Sequence, residues 1–158
     1  MMWNDYAIAR ALHVLAVLGW IGGVAFVTTV LIPAVRRRFA PEQQYEVFED
    51  IEHRFGAQAR FWVLLAGASG LYMLYTTHSW VRLTNTWWLH AMLLAWTVFF
   101  LMLFVLEPLL IHRLLRQRAA RQPVATMRLL QRLHVLLLLI SLLAVVGGVV
   151  GAHGGWRF

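Results

Sequence analysis

The sequence predicts an all-α integral membrane protein: a four-transmembrane-helix bundle with an amphipathic helix before the second span. Three observations predict it. Of the 158 residues, 61% are hydrophobic, and the mean hydropathy is +0.66, more apolar than a soluble domain of ordinary composition. The apolar residues come in long runs, the first from Ala11 to Ile32, enough to cross a hydrocarbon core of about 30 Å. The formal charge of +7 is mostly arginine gathered between those runs. In such a chain that excess reports orientation in the bilayer before it reports a nucleic-acid partner.

The spans fall at about 6–34, 57–75, 87–111 and 129–152, in one domain over 1–158. The first contains ALHVLAVLGWIGGVAFVTTVLI and ends at Pro33 and Arg36, Arg37 and Arg38. No basic stretch precedes it, and its apolar run is too long for a cleaved leader, so it reads as a retained span. In APEQQYEVFEDIEHRFGAQAR, Tyr45, Phe48, Ile51 and Phe55 recur at helical spacing among acidic residues. That pattern predicts an amphipathic helix at the interface or leading into span two. Span two centres on FWVLLAGASGLYMLY, where Ala66, Gly67, Ser69 and Gly70 permit close helix contact. Span three runs from WWLHAMLLAW to LEPLLIHR, and span four ends on Gly147, Gly148 and Gly151.

The first link carries Arg36, Arg37, Arg38, Arg54 and Arg60. The third carries Arg113, Arg116, Arg118, Arg121 and Arg128, whereas the second has Arg82 alone. Positive links stay cytoplasmic, so both termini face outside, across a bacterial-type inner membrane. Trp3, Trp80, Trp87, Trp88 and Trp156 then gather at the outer face as an aromatic belt.

That topology sorts the seven histidines by depth. His13 and His90 lie in the outer half on different helices; His134 lies in the inner half; His53 and His112 sit at the inner interface. An ionisable residue inside a span marks a functional site by default. Two imidazoles at matched depth can ligate the iron of haem b, and the flat macrocycle needs small residues beside it. His13 lies on a strip with Ala9, Ala16, Gly19 and Gly23. Sequence therefore nominates His13, His90, Gly19 and Gly23 for one haem b. His134 with His53 would hold a second. Against ligation stand the bland readings: interfacial histidines bonded to carbonyls, above all His78, His112 and His153, and glycine strips that pack helices. Glu107, before Pro108, is expected to pair with Arg128 or Arg132, or else to carry protons to a redox site. Glu49 and His53 stand i, i+4, a spacing open to a metal but more often an acidic solvated face. The chain has no cysteine, so disulfides and thiolate metal sites are excluded.

ALHVLAVLGWIGG and WLHAML resemble the HemJ-type membrane protoporphyrinogen oxidases, small four-helix proteins that bind haem b through histidine. HRFGAQARFWVLLAGASGLYMLY resembles the matching span of the CopD-type copper-resistance membrane proteins, whose first helix shares the His and Trp-x-Gly-Gly arrangement. By that resemblance His13 matches the first-helix histidine of both groups, and His90 the histidine of the HemJ-type Trp-Leu-His-Ala-Lys segment. Met92 stands where that segment has lysine, and the last span lacks the HemJ-type Asn-Glu-x-Pro stretch. The resemblance therefore implies haem binding more than protoporphyrinogen oxidation. It frames three expectations: a cytochrome b-like protein passing electrons between a quinone and a redox partner protein; a copper-handling protein using His13, His78, His90 and His153; and a non-catalytic assembly subunit. Spans rich in glycine and alanine also fit a homodimer.

Overall fold

The computed structural model describes residues 4–154, so Trp3 and Trp156 of the expected belt lie outside the described residues. Among the described residues every regular element is helical. α1 covers Asp5–Arg38, α2 Pro41–Thr76, α3 Arg82–Asn85, α4 Trp87–Arg121 and α5 Pro123–Ala152. Three of them, α1, α4 and α5, are long and apolar enough to cross a membrane. Their outward faces leave Leu109 69% and Leu143 71% exposed, which suits lipid and not water.

α1 starts where the Asn4 side chain accepts the Tyr6 N–H at 3.1 Å, with Asp5 in the first turn. Both features satisfy a helix N-terminus. Pro33 interrupts the ladder, and Val27–Leu31 take π-helical register. In that i→i+5 pattern the carbonyl without a backbone donor is Thr28's. Gln131 Nε2 of α5 donates to it at 2.9 Å. α4 repeats the device. Pro108 lies inside a π-helical segment, Met102–Ile111, and strips the donor from the Leu103 carbonyl, which receives Arg60 Nε of α2 at 3.1 Å.

Several expected boundaries move. The stretch before span two takes the second of its two expected placements and leads straight into it: α2 is continuous from Pro41 to Thr76. Its Tyr45 and Phe48 pack inward against Ile32, Val35 and Met127, while Ile51 is exposed. The third link shrinks to Gln122, because α4 continues through His112–Arg121 and Pro123 opens α5. Arginine is a good helix former, so the helices outrun the apolar runs that define them. The first link is Phe39 and Ala40, held by Gln44 Nε2 donating to the Phe39 carbonyl at 3.0 Å. The short α3 turns up inside the second link.

α1 packs along α2, and α4 along α5, with α5 also touching α1 and α2. The bundle thus has two ends. The terminal end carries Asn4, Thr76, α3 and Ala152; the arginine end carries Arg36 to Arg38, Arg113 to Arg121 and both tight links. Between them Ala16, Trp20, Val24, Val63, Ala66 and Phe99 form a buried layer. The Trp20 ring stands edge-on to Phe99, centroids 4.8 Å apart.

Candidate functional site

Two concavities meet at that layer, and Trp20 borders both. Its indole Nε1 is buried without a hydrogen-bond partner among the described residues.

Toward the terminal end lies a cleft of about 740 Å³ between α1, α2, α4 and α5. His13 is on its wall. Nδ1 of His13 donates to the Ala66 carbonyl at 2.9 Å, with Ser69 Oγ at 3.2 Å. A carbonyl accepts only, so Nδ1 carries a proton, and in the neutral imidazole Nε2 keeps its lone pair. Gly70 makes room: a Cβ there would stand 3.3 Å from His13 Cε1. The small residues Ala66, Ser69 and Gly70 thus seat an imidazole. Met73, Met92, His153, Arg10 and Arg82 line the same cleft. His153 Nδ1 donates to the Val149 carbonyl at 2.8 Å.

His90 is not on this wall. It is exposed, and its Nε2 donates to the Leu83 carbonyl of α3 at 2.6 Å. The structure therefore does not bring His90 to the cleft that His13 lines. Nor do Gly19 and Gly23 face open space. A Cβ on Gly19 would meet the Trp62 ring at 2.6 Å, and one on Gly23 would strike Phe55. These slots seat aromatic rings of α2, a helix-packing role. The glycines of α5 behave likewise: Met92 covers Gly148 and Trp88 covers Gly151.

Toward the arginine end a smaller cavity of about 250 Å³ is lined by Glu52, Glu107, His112 and His134. His134 Nδ1 donates to the Leu130 carbonyl at 2.9 Å, and its ring meets Phe48 edge-on. His53, one residue past Glu52 and exposed, does not line that cavity. The two histidines of the expected second pair are not gathered at one site.

What does gather there is a set of charged groups. Glu107, buried, pairs with Arg60 at 2.8 Å, and not with Arg128 or Arg132. His112 Nδ1 lies 3.1 Å from Glu49 Oε1, and Arg116 Nη2 donates to Glu49 Oε2 at 2.9 Å. His112 Nε2 stands 3.6 Å from Glu107 Oε1. Donor atoms of Glu52, Glu107 and His112 all fall within 4.8 Å of one another. Burial, then the Glu107 charge, pushes the Glu52 carboxyl up to about 7. For Glu49, burial pulls upward, but the bonds from Arg116 and His112 outweigh it and hold its carboxyl below the usual value.

Sequence reading missed Glu52 and His112. Glu52 hides in an acidic run, and Glu107 and His112 are five apart, about 140° apart on an α-helix. The π-helical segment between them puts i and i+5 in stacking register instead. Pro108 was the available signal.

Compared with protein-family models, curated proteins and solved structures, the chain finds no match.

Proposed function

We propose that the chain is a four-span inner-membrane protein that binds one haem b in the cleft at the terminal end, with His13 Nε2 as an axial ligand, and works in electron transfer. The carrying observation is the state of His13. One ring nitrogen is fixed on a backbone carbonyl, and the other has no partner among the described residues. Metal-ligating histidines typically show that division, since the outer bond sets the tautomer and the ring direction.

The cleft suits the group. Its volume lies within the range of cofactor sites, and its walls are mainly apolar. Arg10 and Arg82 offer two cations for two propionates. Of the other residues on its wall, His153, Met73 and Met92 carry lone pairs that would be available, with His13, to hold the iron. His90, outside the cleft, is not part of this set. A bound haem would supply one-electron chemistry, and the chain would orient it and set its potential through ligand identity and burial.

The reading takes the apolar half of α2, Phe61 to Tyr75, as a fourth span, and the packing of α2 along α1 supports it. Positive charge then assigns the arginine end to the cytoplasm and the termini to the outside.

The test is an optical spectrum of protein made with ample haem, oxidised and dithionite-reduced. The wild type should show a Soret band. His13→Ala should lose it or turn high-spin, while His90→Ala keeps the wild-type spectrum. A colourless wild type, or an unchanged spectrum in His13→Ala, overturns the reading. Copper is the second reading, favoured by Met73 and Met92, soft donors that line the same cleft as His13 and His153. Stoichiometric copper without iron would establish it in place of haem.

A further inference from the structure

We propose that Glu52, Glu107 and His112 form a binding site for a divalent first-row transition-metal ion, of the Zn²⁺ or Mn²⁺ class, between α2 and α4 at the arginine end. The site is separate from the His13 cleft and does not depend on haem.

Three potential ligand atoms from two helices lie within 4.8 Å of one another, and an ion can draw them in by small side-chain rotations. The two carboxylates meet over the bare backbone of Gly56, whose ideal Cβ position is 3.4 Å from Glu107 Oε1 and 3.9 Å from Glu52 Oε1. The π-helical turn through Pro108 keeps Glu107 and His112 on one face.

Glu49, itself held by Arg116, accepts the N–H of His112 Nδ1 at 3.1 Å. The other ring nitrogen, Nε2, faces Glu107 Oε1 at 3.6 Å, too long for a hydrogen bond, and Glu52 has no hydrogen-bond partner among the described residues. A cation between the three satisfies all of them. The Glu49–His112 pair is the carboxylate–histidine arrangement that stands behind many metal ligands.

The donor set selects the ion. Ca²⁺ and Mg²⁺ prefer all-oxygen shells, and Cu⁺ prefers sulfur. Two carboxylates with one imidazole fit the borderline ions Zn²⁺ and Fe²⁺, and the carboxylates also suit the harder Mn²⁺. Arg60 stays on Glu107 and offsets part of the local negative charge. Three protein ligands leave coordination positions open toward the cavity beside them, where water completes the shell.

The experiment uses the full chain in detergent micelles, stripped of metal with a chelator, titrated with Mn²⁺ and followed by the EPR signal of free Mn²⁺. Zn²⁺ is then added as competitor. The wild type should take up one Mn²⁺ per chain, displaced by Zn²⁺. Glu52→Gln and His112→Ala should each weaken binding at least about 10-fold, and Glu49→Gln by about 10- to 100-fold as an outer-shell change. His53→Ala, next in sequence but exposed, should bind as the wild type does. Should His112→Ala fail to give monodisperse helical protein, Glu52→Gln, which keeps shape and removes one charge, decides the matter. No uptake by the wild type below about 1 mM, or equal uptake by wild type and Glu52→Gln, overturns the site and leaves an ion-pair network only.

Discussion

Replacing Arg60 by methionine should destabilise the bundle far more than replacing its partner. Arg60 makes two bonds at once: Nη2 to Glu107 at 2.8 Å and Nε to the Leu103 carbonyl at 3.1 Å. The Glu107 side chain is 9% exposed and that of Arg60 32%. Losing Arg60 strands a buried carboxylate, a change that costs about 3–5 kcal/mol when one member of a buried pair goes. Partial exposure of Arg60 sets the pair at the lower end. The uncapped carbonyl adds roughly 1 kcal/mol, in the range found for interhelical hydrogen bonds in membranes. Arg60→Met should therefore cost about 4 kcal/mol. Glu107→Met leaves an arginine that still reaches water and still caps Leu103, so it should cost about 1 kcal/mol. The double variant should cost about 2 kcal/mol, well short of the sum of the singles. The assay is SDS-induced unfolding in mixed micelles at fixed pH, read by helical circular dichroism. A cost below about 1 kcal/mol for Arg60→Met, or additivity in the double variant, would refute the argument.

Three further outcomes are expected. Gly19→Ala should cost about 1–3 kcal/mol because its methyl meets the Trp62 ring, whereas Gly22→Ala, which meets nothing, should be neutral or stabilising by up to about 1 kcal/mol; equal stabilities in the same SDS assay would contradict the packing. Gln131→Leu uncovers the Thr28 carbonyl opposite Pro33 and should cost roughly 0.6–1.7 kcal/mol, with restoration by Pro33→Ala, which returns a backbone donor; a Gln131→Leu defect that persists in the double variant would argue against the link. In chelator, Glu52 should carry a proton up to about pH 7. Its folded value lies above its unfolded one, so its contribution favours folding most at low pH. That contribution is lost as pH rises from 4.5 to about 7, by about 3 kcal/mol in all. Glu52→Gln should thus gain stability relative to the wild type over that window, and a constant difference from pH 4 to 8 would refute the burial of this carboxyl.

The apolar helices were legible because runs of more than twenty apolar residues have few other readings. Their ends were not. Reasoning from bilayer thickness stops α4 near Ile111, while the backbone, with good helix formers ahead, continues to Arg121. Pro41 and Pro123 mark the true starts of α2 and α5, as first-turn prolines do. His13 was legible as a functional candidate because it is polar deep in a small-residue strip. The purpose of that strip was not, since Gly19 and Gly23 seat Trp62 and Phe55, which no spacing within α1 can show. His90 was placed by depth alone. α4 is apolar on nearly every side, so its periodicity names no inward face, and the imidazole turns to Leu83 of α3 instead.

The arginine-end cluster shows how a local backbone defect becomes a tertiary site. A proline inside a membrane helix removes one donor and crowds the preceding turn. Both interior prolines here answer by widening the helix to π register, and both freed carbonyls are met from a different helix: Thr28 by Gln131, Leu103 by Arg60. The second of these does more than repair. Once Arg60 is fixed on Leu103, its other arm fixes Glu107. The same widened turn carries His112 round to the face of Glu107, and Glu49 orients it from α2. Restoring α-helical register with Pro108→Ala would supply the missing donor and carry His112 away from Glu107 by a large fraction of a turn. That variant should therefore be more stable as a helix yet lose the Glu107–His112 contact and with it Mn²⁺ uptake. A Pro108→Ala protein that gains stability and binds Mn²⁺ as the wild type does would break the connection between the widened turn and the site.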